Sequence, residues 1–175
     1  GNGDGVGGDG YVRTFAVDFD ETRMFEGSSN ESSSRATYLP LTEDPSGSGL
    51  SLGRGVGSID PSNDLDWWSF DAQAGDRVGV AADTASDLRI GPRLYNPAGG
   101  EVASGFGGGP DDDGYISHYQ IPSTGRYYLR LERWYGSSIG DYDLRVELAR
   151  DIDLESDGDY ANDSPSGADP LNYST

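Results

Sequence analysis

From Ala36 to Ala149 the chain alternates short runs of β-branched, aromatic and aliphatic residues with corners of glycine, proline, asparagine and aspartate. Within a run the apolar residues take every second position; in RYYLRLER, Tyr127, Leu129 and Leu131 share one face. A period of two belongs to half-buried strands, and no segment sustains the 3.6-residue period of a helix. The predicted strands are ATYLPL, GVGSI, DWWSFDA, DRVGVAA, RIGPRLY, EVASG, YISHYQI, RYYLRLER and YDLRVELA. Between them stand Asp-Pro, Asn96-Pro97-Ala98-Gly99, the glycine-rich segment Gly107 to Gly114 with Asp111, Asp112 and Asp113, and Ser123-Thr124-Gly125. These dipeptides turn chains tightly. Short strands at this spacing predict an all-β fold, an antiparallel β-sandwich of jelly-roll type with extended N- and C-terminal tails. In DWWSFDA, Trp67 and Phe70 cannot both face inward from a regular strand, so one of Trp67 and Trp68 is expected in the core and the other outside.

The two ends break the pattern. Residues 1–10, GNGDGVGGDG, hold six glycines, which offer no side chain to bury. An alternating stretch from Tyr11 to Phe19 follows and reads as an additional strand, and Asp20 to Arg35 is polar. Beyond Arg150 the chain turns acidic again. The expected organisation is therefore a glycine-rich tail plus extra strand over 1–25, suited to strand exchange; a sandwich over 26–150; and an acidic tail over 151–175. Asn30 to Ala36 aligns without gaps to Asn162 to Ala168, with Leu39 and Leu171 at the same offset, so the tail resembles the start of a second repeat.

Charge narrows the partners. With 31 acidic and 12 basic residues, all of the latter arginine, the net charge is −19. A polyanion would be repelled, which excludes nucleic acid, and no apolar run is long enough for membrane insertion by a helix. Such a surplus of carboxylates recruits cations, Ca²⁺ among them. The absence of cysteine excludes disulfides, thiolate metal sites and a cysteine nucleophile. The chain begins at Gly1, as a processed portion of a longer precursor would.

Five pieces of sequence, taken together and in order, resemble the bacterial pre-peptidase C-terminal domain family, whose relatives include the collagen-binding domains of clostridial collagenases. They are Asp64-Leu65-Asp66-Trp67-Trp68-Ser69-Phe70, Ala74-Gly75-Asp76-Arg77-Val78, Leu94-Tyr95-Asn96-Pro97-Ala98-Gly99, Pro122 to Leu129, and Gly140 to Val146. The resemblance runs from about Glu26 to Ala149. It implies a Ca²⁺ ion held where an acidic leading segment meets an Asp-x-Asp on a later strand; here the matching residues are Glu26, Asn30 and Glu31 with Asp64 and Asp66. Ser28 stands where an acidic residue is common, and Glu31 where Asp or Asn is usual. Oxygen ligands from two separated segments suit Ca²⁺, which takes 6–8 oxygens in adaptable geometry. The plainer reading is that Asp64 and Asp66 only solvate the start of a strand.

The C-terminal tail carries further candidates. Asp153 to Gly158 is close to the first half of an EF-hand loop but has Ser164 where the bidentate glutamate belongs, so Glu155, Asp157, Asp159, Asn162 and Asp163 are expected to bind calcium only jointly with another segment. Asn30, Asn162 and Asn172 begin Asn-x-Ser sequons and are glycosylation candidates. The one histidine, His118, lies in a strand pattern among aromatics with no nucleophile-elbow motif.

The function expected from all this is a non-catalytic, calcium-stabilised structural module of a secreted or cell-surface protein, assembling end to end into an extracellular fibre with copies of itself or neighbouring repeats. The alternative is an accessory domain that holds a secreted peptidase on collagen or polysaccharide, an extracellular polymer, with Tyr119, Tyr128, Trp134 and Tyr135 as an aromatic platform.

Overall fold

A computed structural model describes residues 23–84, 87–107 and 113–152. Among the described residues the strands are β1 (Arg23–Phe25), β2 (Thr37–Tyr38), β3 (Thr42–Glu43), β4 (Leu50–Ile59), β5 (Leu65–Ala72), β6 (Arg77–Asp83), β7 (Arg89–Tyr95), β8 (Glu101–Ser104), β9 (Gly114–Gln120), β10 (Gly125–Tyr135) and β11 (Gly140–Ala149), with a 3₁₀ turn at Ser33–Arg35. One sheet runs β1-β4-β11-β6-β9, with β3 also on β4, and the other β2-β5-β10-β7-β8. From β4 to β7 successive strands alternate between the sheets, so β4-β11-β6-β9 faces β5-β10-β7-β8, the jelly-roll arrangement expected. The main ladders are antiparallel; only β1 on β4 and β2 on β5 are parallel, which makes both sheets mixed.

The inner faces close on Trp68, Phe70, Tyr127, Leu129, Leu131, Tyr142, Leu144 and Val146, all essentially inaccessible. Of the two adjacent tryptophans Trp68 is the core residue. Trp67 lies on the outer face of its sheet, its ring 5.0 Å from that of Tyr95.

β4 extends well before the GVGSI run. Its inward positions include Gly53, Gly55 and Gly57, which offer nothing apolar to read, yet their lack of a side chain is what the core uses. A Cβ at Gly55 would stand 2.8 Å from the Trp68 ring, and one at Gly57 2.3 Å from the Tyr142 hydroxyl. Bulky residues of the opposite sheet and of β11 thus fill the space that β4 leaves. The short β1 was not expected within the polar stretch; main-chain pairing with Arg54 to Val56 holds it.

The C-terminal end of the sandwich is tied by Asp76, in the turn between β5 and β6. Its carboxylate accepts Arg150 Nε and Nη2, both at 2.8 Å, and the Gln73 N–H at 2.7 Å. Burial would raise the Asp76 pKa, but the guanidinium and the amide outweigh it and hold this carboxyl below the usual range. The additional strand expected over Tyr11 to Phe19 and the tail beyond Ile152 lie outside the described residues.

Candidate functional site

Where β1 ends, the chain runs beside β4 and meets the start of β5, and three polar side chains converge there on the end of the core. Glu26 follows β1 directly. Its Oε1 accepts the Ser58 N–H at 3.0 Å and the Ser58 hydroxyl at 3.3 Å, and its Oε2 lies 3.4 Å from the Tyr142 hydroxyl. That hydroxyl also accepts the Trp68 indole N–H at 3.0 Å. Asp66, on the inner side of β5, is 1 % exposed and lies close enough to Glu26 and Tyr142 for both to act on its ionisation. Gly57 makes the convergence possible, since a Cβ there would fall 2.5 Å from Glu26 Oε2.

This cluster lacks a cation of its own among the described residues. Burial first, then the neighbouring Glu26 and the charge of Asp64, push the Asp66 carboxyl up to about 8, against a smaller lowering by Tyr142. Burial, reinforced by the Asp66 charge, drives the Tyr142 phenol upward as well. Asp66 Oδ2 is buried with no hydrogen-bond partner, and so is the side-chain amide nitrogen of Asn30. Asn30 is itself buried, and its carbonyl accepts the Trp67 N–H at 2.9 Å, which fixes the leading segment against β5 next to Asp66. Each orphaned atom carries a desolvation cost: the Asp66 oxygen is an acceptor that a cation or a proton donor would satisfy, whereas the Asn30 amide nitrogen is a donor and calls for an acceptor.

The sequence-derived residues separate into three groups. Glu26, Asn30 and Asp66 are brought together. Asp64 points back into its own turn, where Oδ2 accepts the Asp60 N–H at 3.2 Å and Oδ1 the Leu65 N–H at 2.9 Å; its charge still acts on Asp66. Glu31 is exposed, just before the 3₁₀ turn. Glu155, Asp157, Asp159, Asn162, Asp163 and Asn172 lie outside the described residues. Among the described residues no three acidic or histidine side chains are spaced to hold a metal ion. A cation at this position would therefore draw on Glu26, Asp66 and the Asn30 amide oxygen, with main-chain carbonyls and water completing its shell. Sequence reasoning missed Tyr142, which reads as an ordinary inward strand residue; its hydroxyl is the polar group linking Trp68 to the acid pair.

Elsewhere, His118 sits on β9 with φ of 46°, at a bulge between Val78 and Val80 of the paired strand. Its Nδ1 is 2.9 Å from the hydroxyl of the adjacent Ser117. Of the expected aromatic platform, Trp134 and Tyr135 are exposed at the end of β10, Tyr128 lies farther along the same strand, and Tyr119 packs against the core from the other sheet. No helix among the described residues is long and apolar enough to cross a membrane.

Residues 64–133, from the acidic start of β5 to near the end of β10, match the bacterial pre-peptidase C-terminal domain family, the family that the sequence motifs resemble. No curated protein matches the chain. Among solved structures, the pre-peptidase C-terminal domain of collagenase from Bacillus anthracis is similar at 17 % identity and a TM-score of 0.47, over 63 % of this chain and 93 % of that one. PliG from Aeromonas hydrophila, a periplasmic inhibitor of g-type lysozyme, is similar at 15 % identity and a TM-score of 0.44, over 65 % of this chain and 96 % of the other. PliG from Salmonella Typhimurium gives 18 % identity and a TM-score of 0.41, over 65 % and 98 %.

Proposed function

We propose that this chain, which carries a bacterial pre-peptidase C-terminal domain, is a non-catalytic accessory module of a secreted or cell-surface protein whose leading segment is pinned to the sandwich by Ca²⁺ at the Glu26–Asp66 pair. The observation that supports this most is the pairing itself. A buried carboxyl, Asp66, and a half-buried one, Glu26, act on each other with no guanidinium between them among the described residues, and one Asp66 oxygen is buried without a partner. Such a pair keeps a proton or takes a cation, because a second negative charge beside a buried carboxylate is costly to leave unneutralised. A divalent ion would supply the missing positive charge. Glu26 and Asn30 belong to the leading segment and Asp66 to β5, so joint ligation would hold that segment in place.

The test is thermal unfolding in chelator and in millimolar CaCl₂. At a tenfold excess of Ca²⁺ over its dissociation constant the unmodified chain gains about 1.4 kcal/mol, and Asp66→Asn gains nothing. An unmodified chain whose melting temperature ignores Ca²⁺ contradicts the reading. The end-to-end assembly expected from the terminal segments is a separate part of the proposal: deleting residues 1–20 should abolish concentration-dependent association, measured by sedimentation, and unchanged association refutes strand exchange.

A further inference from the structure

The outer face of the β5-β10-β7 sheet holds a groove of about 370 Å³ lined by Ser33, Ser34, Trp67, Tyr95, Pro97 to Gly99 and Tyr128. Its volume is within the range of small-ligand sites. Its chemistry departs from the rest of the surface. On a chain of net charge −19, two other grooves are lined by charged groups: Arg23, Arg54, Asp83 and Asp143 in one, Asp71, Arg126 and Arg150 in the other. This one has no acid and no base in its wall.

Three aromatic rings and four hydroxyls, those of Ser33, Ser34, Tyr95 and Tyr128, remain. The Trp67 and Tyr95 rings lie 5.0 Å apart and tilted by 39°. The Arg130 guanidinium stands 5.7 Å and 5.6 Å from their centroids and is itself tied to Glu132 at 2.9 Å, so the rings are held before any ligand arrives. On one side stands the 3₁₀ turn with Ser33 and Ser34, on the other the Asn96 to Gly100 turn, closed by Asn96 Oδ1 accepting the Ala98 and Gly100 N–H groups.

We propose that this groove binds a neutral glycan chain, with the C–H faces of its pyranose rings laid on Trp67, Tyr95 and Tyr128 and its hydroxyls exchanging hydrogen bonds with those of the walls. This deepens the accessory-module reading by naming its ligand class, and it rests on that reading but not on the cation. A charged polysaccharide finds no charged side chain lining these walls, and the nearby Arg130 guanidinium is engaged by Glu132. A peptide is the poorer fit, since β10 is paired on both sides over this region and offers no free main-chain donors or acceptors to a second backbone. The rings together with neutral hydroxyls match a ligand that is apolar on its ring faces and hydroxylated at its edges.

The whole chain would be run through native gels containing soluble neutral polysaccharides (hydroxyethylcellulose, amylose, xylan, glucomannan), with a proline-rich peptide and an acidic polysaccharide as competitors in solution, each in CaCl₂ and in chelator. Retardation by at least one neutral glycan is expected. Trp67→Ala and Tyr128→Ala should each weaken it about tenfold or more, and Trp134→Ala, outside the groove, should leave it unchanged. Because Trp67→Ala removes packing, the milder Tyr128→Ser and a melting curve for each variant separate lost binding from lost fold. Retardation by no neutral glycan, equal loss in Trp134→Ala, or displacement by the peptide or acidic polymer alone overturns the proposal. Any of these with an intact calcium-dependent melting shift refutes the groove and leaves the cation site standing.

Discussion

Two aspartates in this sandwich are each 1 % exposed, Asp66 and Asp76, and they were given opposite surroundings. Asp76 faces the Arg150 guanidinium in a two-pronged contact and is held ionised. Asp66 faces Glu26 and a phenol, and its carboxyl is pushed up to about 8. Burial is the same; the partner decides. One site is complete as the chain folds and serves to staple the end of β11 to the β5–β6 turn. The other has no compensating cation among the described residues, and that missing charge is what the proposed Ca²⁺ would supply.

The strongest way to break the contrast is to remove the guanidinium. Arg150→Met strands a buried carboxylate and should cost about 3 kcal/mol at neutral pH by denaturant unfolding, less than the limit for a fully buried pair because Arg150 is itself 40 % exposed. A loss well under 1 kcal/mol would mean that Asp76 is hydrated in solution. Next comes Gly57→Ala, which drives a methyl group into Tyr142 and Glu26. It should cost about 2 kcal/mol and abolish any calcium-dependent gain, whereas Gly75→Ala, in open space but at positive φ, should cost stability and leave that gain intact.

Asp66→Asn reverses the sign. In chelator at pH 8 the amide removes a charge the interior disfavours, so the variant should be as stable as the unmodified chain or more so by about 1 kcal/mol. Destabilisation there would mean that the Asp66 charge is already compensated. The pH profile separates the two sites most gently, at no more than about 1.4 kcal/mol per unit for each group. Between about pH 4, the unfolded value of an aspartate, and about 8 the folded Asp66 binds a proton that the unfolded chain has released, so stability in chelator falls as pH rises through that window. Asp76, with a depressed folded value, contributes stability above the unfolded pKa and loses it as pH falls through the folded one. The chelated protein should therefore be most stable in mildly acid solution, and added Ca²⁺ should move that optimum upward.

How much of this was readable from residues alone follows from the range of each interaction. RIGPRLY appeared as β7 without adjustment, because its strand pattern is local and Asn96-Pro97-Ala98-Gly99 turns the chain directly after it. The first half of β4, before the GVGSI run, did not, because its inward position is Gly53, which shows no apolar side chain and whose place is set by Leu39 and Leu41 arriving from an earlier segment. Glu26 and Asp66 were legible through the family motif, whereas their lack of a counter-charge was not, since it depends on what fails to arrive. The Asp76–Arg150 pair joins residues far apart in the chain, and from sequence Asp76 read only as part of a tight turn. The aromatic groove needed register: Trp67 and Tyr95 belong to strands that never touch, brought into contact across β10.

The account stands or falls on whether the Glu26–Asp66 pair exchanges a proton for a divalent ion. Calorimetric titration with Ca²⁺ at pH 7, in two buffers of different ionisation enthalpy, measures this directly. The expected result is release of about one proton per ion bound, fading toward pH 9 and absent in Asp66→Asn. Binding without proton release, or binding that survives in Asp66→Asn, would place any calcium elsewhere and contradict the account.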